Sequence, residues 1–185
     1  MIFSKTKKLT VTAMLLALGL ALPFLTGQIP QIGQMLCPMH IPVFLCGLIC
    51  GWPWGLGLGF LLPPLRSLLF GMPVLFPNGI AMAFELAAYG FVAGFLYFRK
   101  GYFCLRSCYT ALIAAMVAGR IVWGLARWVL LGFGAAFSWK LFVAGALLNA
   151  IPGILLHLVL IPAVMVALGR ARIVPFEKSG KKSGA

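Results

Sequence analysis

The chain reads as an all-α integral membrane protein of about six transmembrane helices, with its N- and C-termini in the cytoplasm. Three observations predict that class. Of its 185 residues, 63% are hydrophobic and 9% are charged, giving a mean hydropathy of +1.08; a water-soluble core of this size cannot hide so much apolar surface. Glycine and proline divide the apolar sequence into lengths near the roughly 20 residues that a bilayer crossing needs. Most of the basic residues behind the net charge of +13 fall at the ends of those lengths on one side.

The first span, Leu9–Thr26, follows Lys5, Lys7 and Lys8. The same order suits a secretory signal, but no small-x-small cleavage site follows Leu22-Pro23, so a retained helix is expected. Ala13, Ala17 and Ala21 stand four apart on one face of it. Small-x-x-x-small faces let helices approach closely in lipid, and this one serves either a contact within the chain or a separate partner. The loop over 27–38, G-Q-I-P-Q-I-G-Q-M-L-C-P, is polar and uncharged; it either closes over a pocket as a lid or merely connects. Span two, Met39–Cys50, is short, hence tilted or broken. Spans three to six follow as Pro53–Gly71, Gly79–Phe98, Ser107–Leu131 and Ser138–Arg170.

Six spans from a cytoplasmic N-terminus gather Lys5, Lys7 and Lys8, then Arg99, Lys100 and Arg106, then Arg170, Arg172, Lys178, Lys181 and Lys182 on the inside. The outer loops keep only Lys140, as the positive-inside rule requires. Residues 1–172 form a single membrane domain and 173–185 a basic cytoplasmic tail. With no aromatics interleaved in K-S-G-K-K-S-G-A, the tail is an orientation signal or lipid-facing patch rather than a nucleic-acid site.

The chain has no aspartate, and its only acids are Glu85 and Glu177. Nucleotide hydrolysis needs a glycine-rich Lys-Ser/Thr loop and an acidic magnesium ligand, both missing, so the chain does not hydrolyse ATP alone. Carboxylate-dyad and Ser-His-Asp chemistry lack their acids too. No enzyme activity and no cofactor are expected. The five cysteines include Cys46/Cys50 and Cys104/Cys108, four apart, which read as small packing residues. Cys37 lies near His40 without a second cluster, so no metal site is expected.

Once the topological charges are set aside, Arg66, Glu85, Arg120, Arg127, Asn149 and His157 remain inside the spans. Such groups cost at least ~2.5 kcal/mol each and face a protein interior or a wet cavity. Arg66 falls near the outer end of span three and Glu85 about 9 Å down span four. Arg127 lies in the outer part of span five, with Arg120 two turns deeper on the same face; Asn149 descends similarly into span six, and His157 lies nearer the cytoplasm. Asn78 opens span four, and Tyr89, one turn beyond Glu85, offers an aromatic wall. A salt bridge of Arg66 or Arg127 with Glu85 would explain one pair as packing alone. It would not explain three arginines against one acid, because an unpaired buried cation is costly. A ligand carboxylate or phosphate would supply the missing charge.

With these residues go the "P-M-H-I-P-V-F-L-C-G" opening of span two, the "P-P-L-R-S-L-L-F-G-M-P" turn and "F-E-L-A-A-Y-G" in span four. Together with the small face of span one and the lid-like first loop, they make nearly the whole chain resemble the substrate-binding S component of an energy-coupling factor (ECF) vitamin transporter. That resemblance implies capture of a micronutrient from outside, in a prokaryotic plasma membrane. It also implies a transmembrane coupling subunit, two cytoplasmic ATPases, and toppling in the bilayer to release cargo. Ala13 and Ala17 would meet the coupling subunit, and Glu85 and Asn149 match positions where relatives contact substrate. Arg66 and Arg127 match no motif and rest on the charge count alone. The cationic excess favours an anionic vitamin such as pantothenate over cationic thiamine, with riboflavin still open. A membrane scaffold whose arginines pair internally or with lipid phosphate is the alternative.

Overall fold

The computed structural model describes residues 3–25, 38–99, 101, 103–131 and 151–176. They form α1 (Lys5–Leu25), α2 (His40–Cys50), α3 (Trp52–Phe70), an irregular turn over Leu75–Gly79, α4 (Ile80–Arg99), α5 (Leu105–Leu131) and α6 (Ile151–Arg170). Four segments are long and apolar enough to cross a membrane: Lys5–Phe24, Leu75–Arg99, Leu105–Leu130 and Pro152–Arg170. α3 has the length, 19 residues, but its tryptophans, prolines and Arg66 dilute its hydropathy. The Ser138–Ala150 part of the expected sixth span and nearly all of the 27–38 loop lie outside the described residues.

The short second span is the centre of the molecule. All 11 residues of α2 are buried, with α1, α3, α4 and α6 packed around it and α5 packed against α4 and α6. α2 and α3 are separated by Gly51 alone, whose φ of 99° and ψ of 169° lie where a side chain would clash. Pro53, in the first turn of α3, then restarts the helix, where its missing N–H costs nothing.

Close approach of three backbones makes this core. A Cβ on Gly90 of α4 would lie 2.2 Å from the Gly55 carbonyl oxygen of α3, and one on Gly47 of α2 would lie 2.6 Å from the Gly90 carbonyl oxygen. In lipid, where apolar surfaces gain little from meeting one another, such packing is what binds helices together. The cysteines of α2 face α1: Cys46 Sγ is 3.5 Å from Thr12 Oγ1, and Cys50 Sγ donates to the Lys8 carbonyl at 3.8 Å.

Chain ends are fastened differently. α6 stops with the Arg172 N–H on the Gly169 carbonyl and the Ile173 N–H on the Leu168 carbonyl, both at 3.0 Å. This Schellman closure usually has glycine at its left-handed position. Here Arg172 holds it at φ 58°, which costs a non-glycine residue roughly 1–2 kcal/mol. Beyond it the chain folds back, burying Val174 to 5% exposure.

Candidate functional site: a buried polar cluster

Glu85, on the inward face of α4, is 2% exposed. A carboxylate so far from water must be compensated. Tyr89, one turn on, donates its hydroxyl to Glu85 Oε1 at 2.7 Å, and Arg120 of α5 places Nη1 3.1 Å from the same oxygen. His40, at the start of α2, brings Nε2 to 3.9 Å. The His40 ring lies 5.1 Å from that of Tyr89 and 5.7 Å from that of His157 on α6. Phe44 closes the apolar side, 4.9 Å from Tyr89 and 5.9 Å from His157. Four helices thus contribute to one cluster. Gly119 makes room for it: a Cβ there would sit 2.2 Å from Tyr89 Cε1.

The ion pair settles the packing alternative: Glu85 meets Arg120, not Arg66 or Arg127. Regular helix in span four begins at Ile80, after the irregular turn over Leu75–Gly79, which puts Glu85 about 8 Å along α4 from its outer end. Arg120 lies about 16 Å from the Leu131 end of α5, and the stagger of α5 against α4 brings its guanidinium level with Glu85. Arg120 is also the most accessible of the pair, its side chain 21% exposed against 3% for Glu85. An anion reaching the cluster would meet the guanidinium first.

Arg66 has a different station. It is 3% exposed, donates Nη1 to the Leu20 carbonyl of α1 at 2.7 Å, and lies between the rings of Phe24 and Phe70, at 5.3 and 5.4 Å. Its other N–H groups meet no acceptor among the described residues. Arg127 sits over Trp123 at 5.2 Å. Asn78 is exposed in the turn before α4, and Asn149 lies outside the described residues. Ala13, Ala17 and Ala21 are all exposed on α1, whereas Gly19 of that helix faces Leu62 and Pro42.

His40 and Gly119 are the members that sequence reasoning does not single out, whereas His157, named there, joins the cluster from α6. The signal for the histidines was present: an ionisable residue in a wholly apolar segment is a functional candidate by default. Among the described residues, no group of three or more His, Cys, Asp or Glu is placed to hold a metal ion.

The chain matches the family described as "ECF transporter, substrate-specific component" over residues 7–165. No curated protein and no solved structure compared with it gives a match. The matched stretch holds every member of the buried cluster together with Arg66 and the alanine face of α1. With its membrane-length apolar helices, the chain belongs to the substrate-specific components of ECF transporters, the substrate-binding membrane subunits of those importers.

Proposed function

We propose that this subunit captures a small anionic vitamin, with pantothenate the best fit, from outside the plasma membrane of a prokaryotic cell. It then hands the vitamin to a transmembrane coupling subunit driven by two cytoplasmic ATPases. The observation that carries the substrate class is the charge balance of the interior. Glu85 is matched by Arg120, while Arg66, equally buried, has a carbonyl and two rings around it and no carboxylate among the described residues. A ligand anion would complete the balance, and a guanidinium offers it a two-pronged hydrogen bond. Arg120 and Tyr89, with Asn149 from the matched part of span six, are the further groups assigned to the ligand. Cationic thiamine would add to the imbalance; riboflavin, held by stacking and hydrogen bonds, is the next choice. Coupling is assigned to the exposed Ala13, Ala17 and Ala21 face of α1, where small side chains let a partner helix approach.

A melting-temperature screen of the purified chain against water-soluble vitamins tests the substrate class. Pantothenate or another anionic vitamin should stabilise the protein by several degrees at saturation, because a ligand that binds only the folded state shifts the unfolding equilibrium. Stabilisation by thiamine alone would refute the assignment.

A further inference from the structure

The cytoplasmic half of the molecule carries a groove with no part in the substrate site. It runs between α5 and α6, with a volume of about 780 Å³, walled by Leu105 and Tyr109 on one side and Val159, Pro162, Val166 and Arg170 on the other. Ala163 and Ala167 also line it, and their small side chains leave it open. α5 begins and α6 ends on the cytoplasmic side, so the groove lies in the inner leaflet. From Val159 to Arg170 it spans about 16 Å of helix, against roughly 15 Å for half of a bilayer's hydrocarbon core. Much of its lining is open: Val159 is 70% exposed, Leu105 40% and Tyr109 36%.

The groove's end at headgroup level is cationic. Arg170 lines it, Arg172 follows in the left-handed conformation that glycine would adopt more easily, and Arg106 stands in the first turn of α5. All three are exposed. The one acid among the described residues, Glu85, is engaged by Arg120, so no described carboxylate neutralises them. A groove whose α6 wall is apolar for one leaflet's depth and whose mouth is positive is complementary to one kind of membrane component. We propose that it binds an anionic phospholipid of the inner leaflet, with an acyl chain along Val159, Ala163 and Ala167 and the phosphate on Arg170. Arginines at the cytoplasmic surface attract anionic headgroups electrostatically, and the guanidinium pairs with phosphate in two-pronged geometry. Tyr109, one turn into α5, sits where tyrosine favours the interface.

The test is a native mass-spectrometry titration of the full chain in neutral detergent with phosphatidylglycerol, phosphatidylcholine and glycerol 3-phosphate. Phosphatidylglycerol should bind in preference to phosphatidylcholine, and glycerol 3-phosphate should not compete. Arg170→Gln should weaken phosphatidylglycerol about fivefold, and Ala167→Trp, which fills the slot, should abolish the preference. Lys181→Gln/Lys182→Gln in the tail should leave it unchanged. Equal binding of both lipids, competition by the soluble phosphate, full retention by Arg170→Gln, or an equal loss in the tail variant would each overturn the proposal. A photoactivatable acyl-chain phosphatidylglycerol used on the wild-type chain decides independently of how Ala167→Trp folds. Labelling within 159–171 supports the site, and labelling elsewhere alone removes it. Retention of a partner helix on these residues in the assembled transporter, with no lipid bound, would assign the groove to that helix and overturn the lipid reading.

Discussion

Replacing Arg120 by glutamine removes the cation 3.1 Å from Glu85 Oε1 while leaving the carboxylate in place at 2% exposure. The Tyr89 hydroxyl at 2.7 Å and His40 at 3.9 Å remain, but neither brings the fixed charge that is lost. Deleting one partner of a buried ion pair costs about 3–5 kcal/mol. Because the Arg120 side chain is 21% exposed, water screens part of the attraction, and the loss should fall near ~3 kcal/mol. At about 2–4 °C per kcal/mol for a chain of this length, the ligand-free protein should melt roughly 6–12 °C lower. Glu85→Gln should cost less, about 1 kcal/mol, since the arginine left behind can turn toward water and the amide still accepts from Tyr89. The double variant should recover to within about 1.5 kcal/mol of the wild type, a coupling of about 2.5 kcal/mol or more between the two positions. Melting curves of the four proteins in one detergent measure all of this. An Arg120→Gln protein that melts within about 2 °C of the wild type, or a double variant no better than the two losses added, would show that this pair does not hold the cluster together.

Arg66→Gln should weaken binding of an anionic vitamin by about 1.5 kcal/mol, close to tenfold; unchanged affinity in a calorimetric titration would take this arginine out of the site. Gly90→Ala should destabilise the protein by at least 1–3 kcal/mol, because the added carbon meets the Gly55 carbonyl at 2.2 Å, whereas Gly57→Ala points into open space and should be tolerated; equal melting temperatures would deny the three-helix contact. Ala13→Trp or Ala17→Trp should leave vitamin binding by the isolated chain intact and abolish ATP-driven uptake in proteoliposomes; normal uptake with both changes would free that face from any role in coupling.

The amino-acid sequence alone determined the class of fold and most helix limits, because a bilayer leaves a chain little choice. Every backbone group in the hydrocarbon must be satisfied within its own segment, so apolar lengths punctuated by Gly51, Gly71 and their neighbouring prolines translate directly into helices, and the placement of lysine and arginine sets the sides. The sequence also singled out Glu85, Tyr89 and Arg120, since ionisable groups at that depth are costly wherever they stand. It left open which arginine Glu85 would meet. That depends on how α4 and the 27 residues of α5 are staggered against each other, and a shift of one turn exchanges one partner for another. The histidines joined the cluster only through packing, His40 because α2 is buried on all sides and His157 because α6 lies against it. The contact of Gly47, Gly55 and Gly90 was likewise invisible in one dimension. Each is an ordinary membrane-helix glycine until three backbones cross at one place, and close packing between segments distant in the chain is a property of the folded molecule alone.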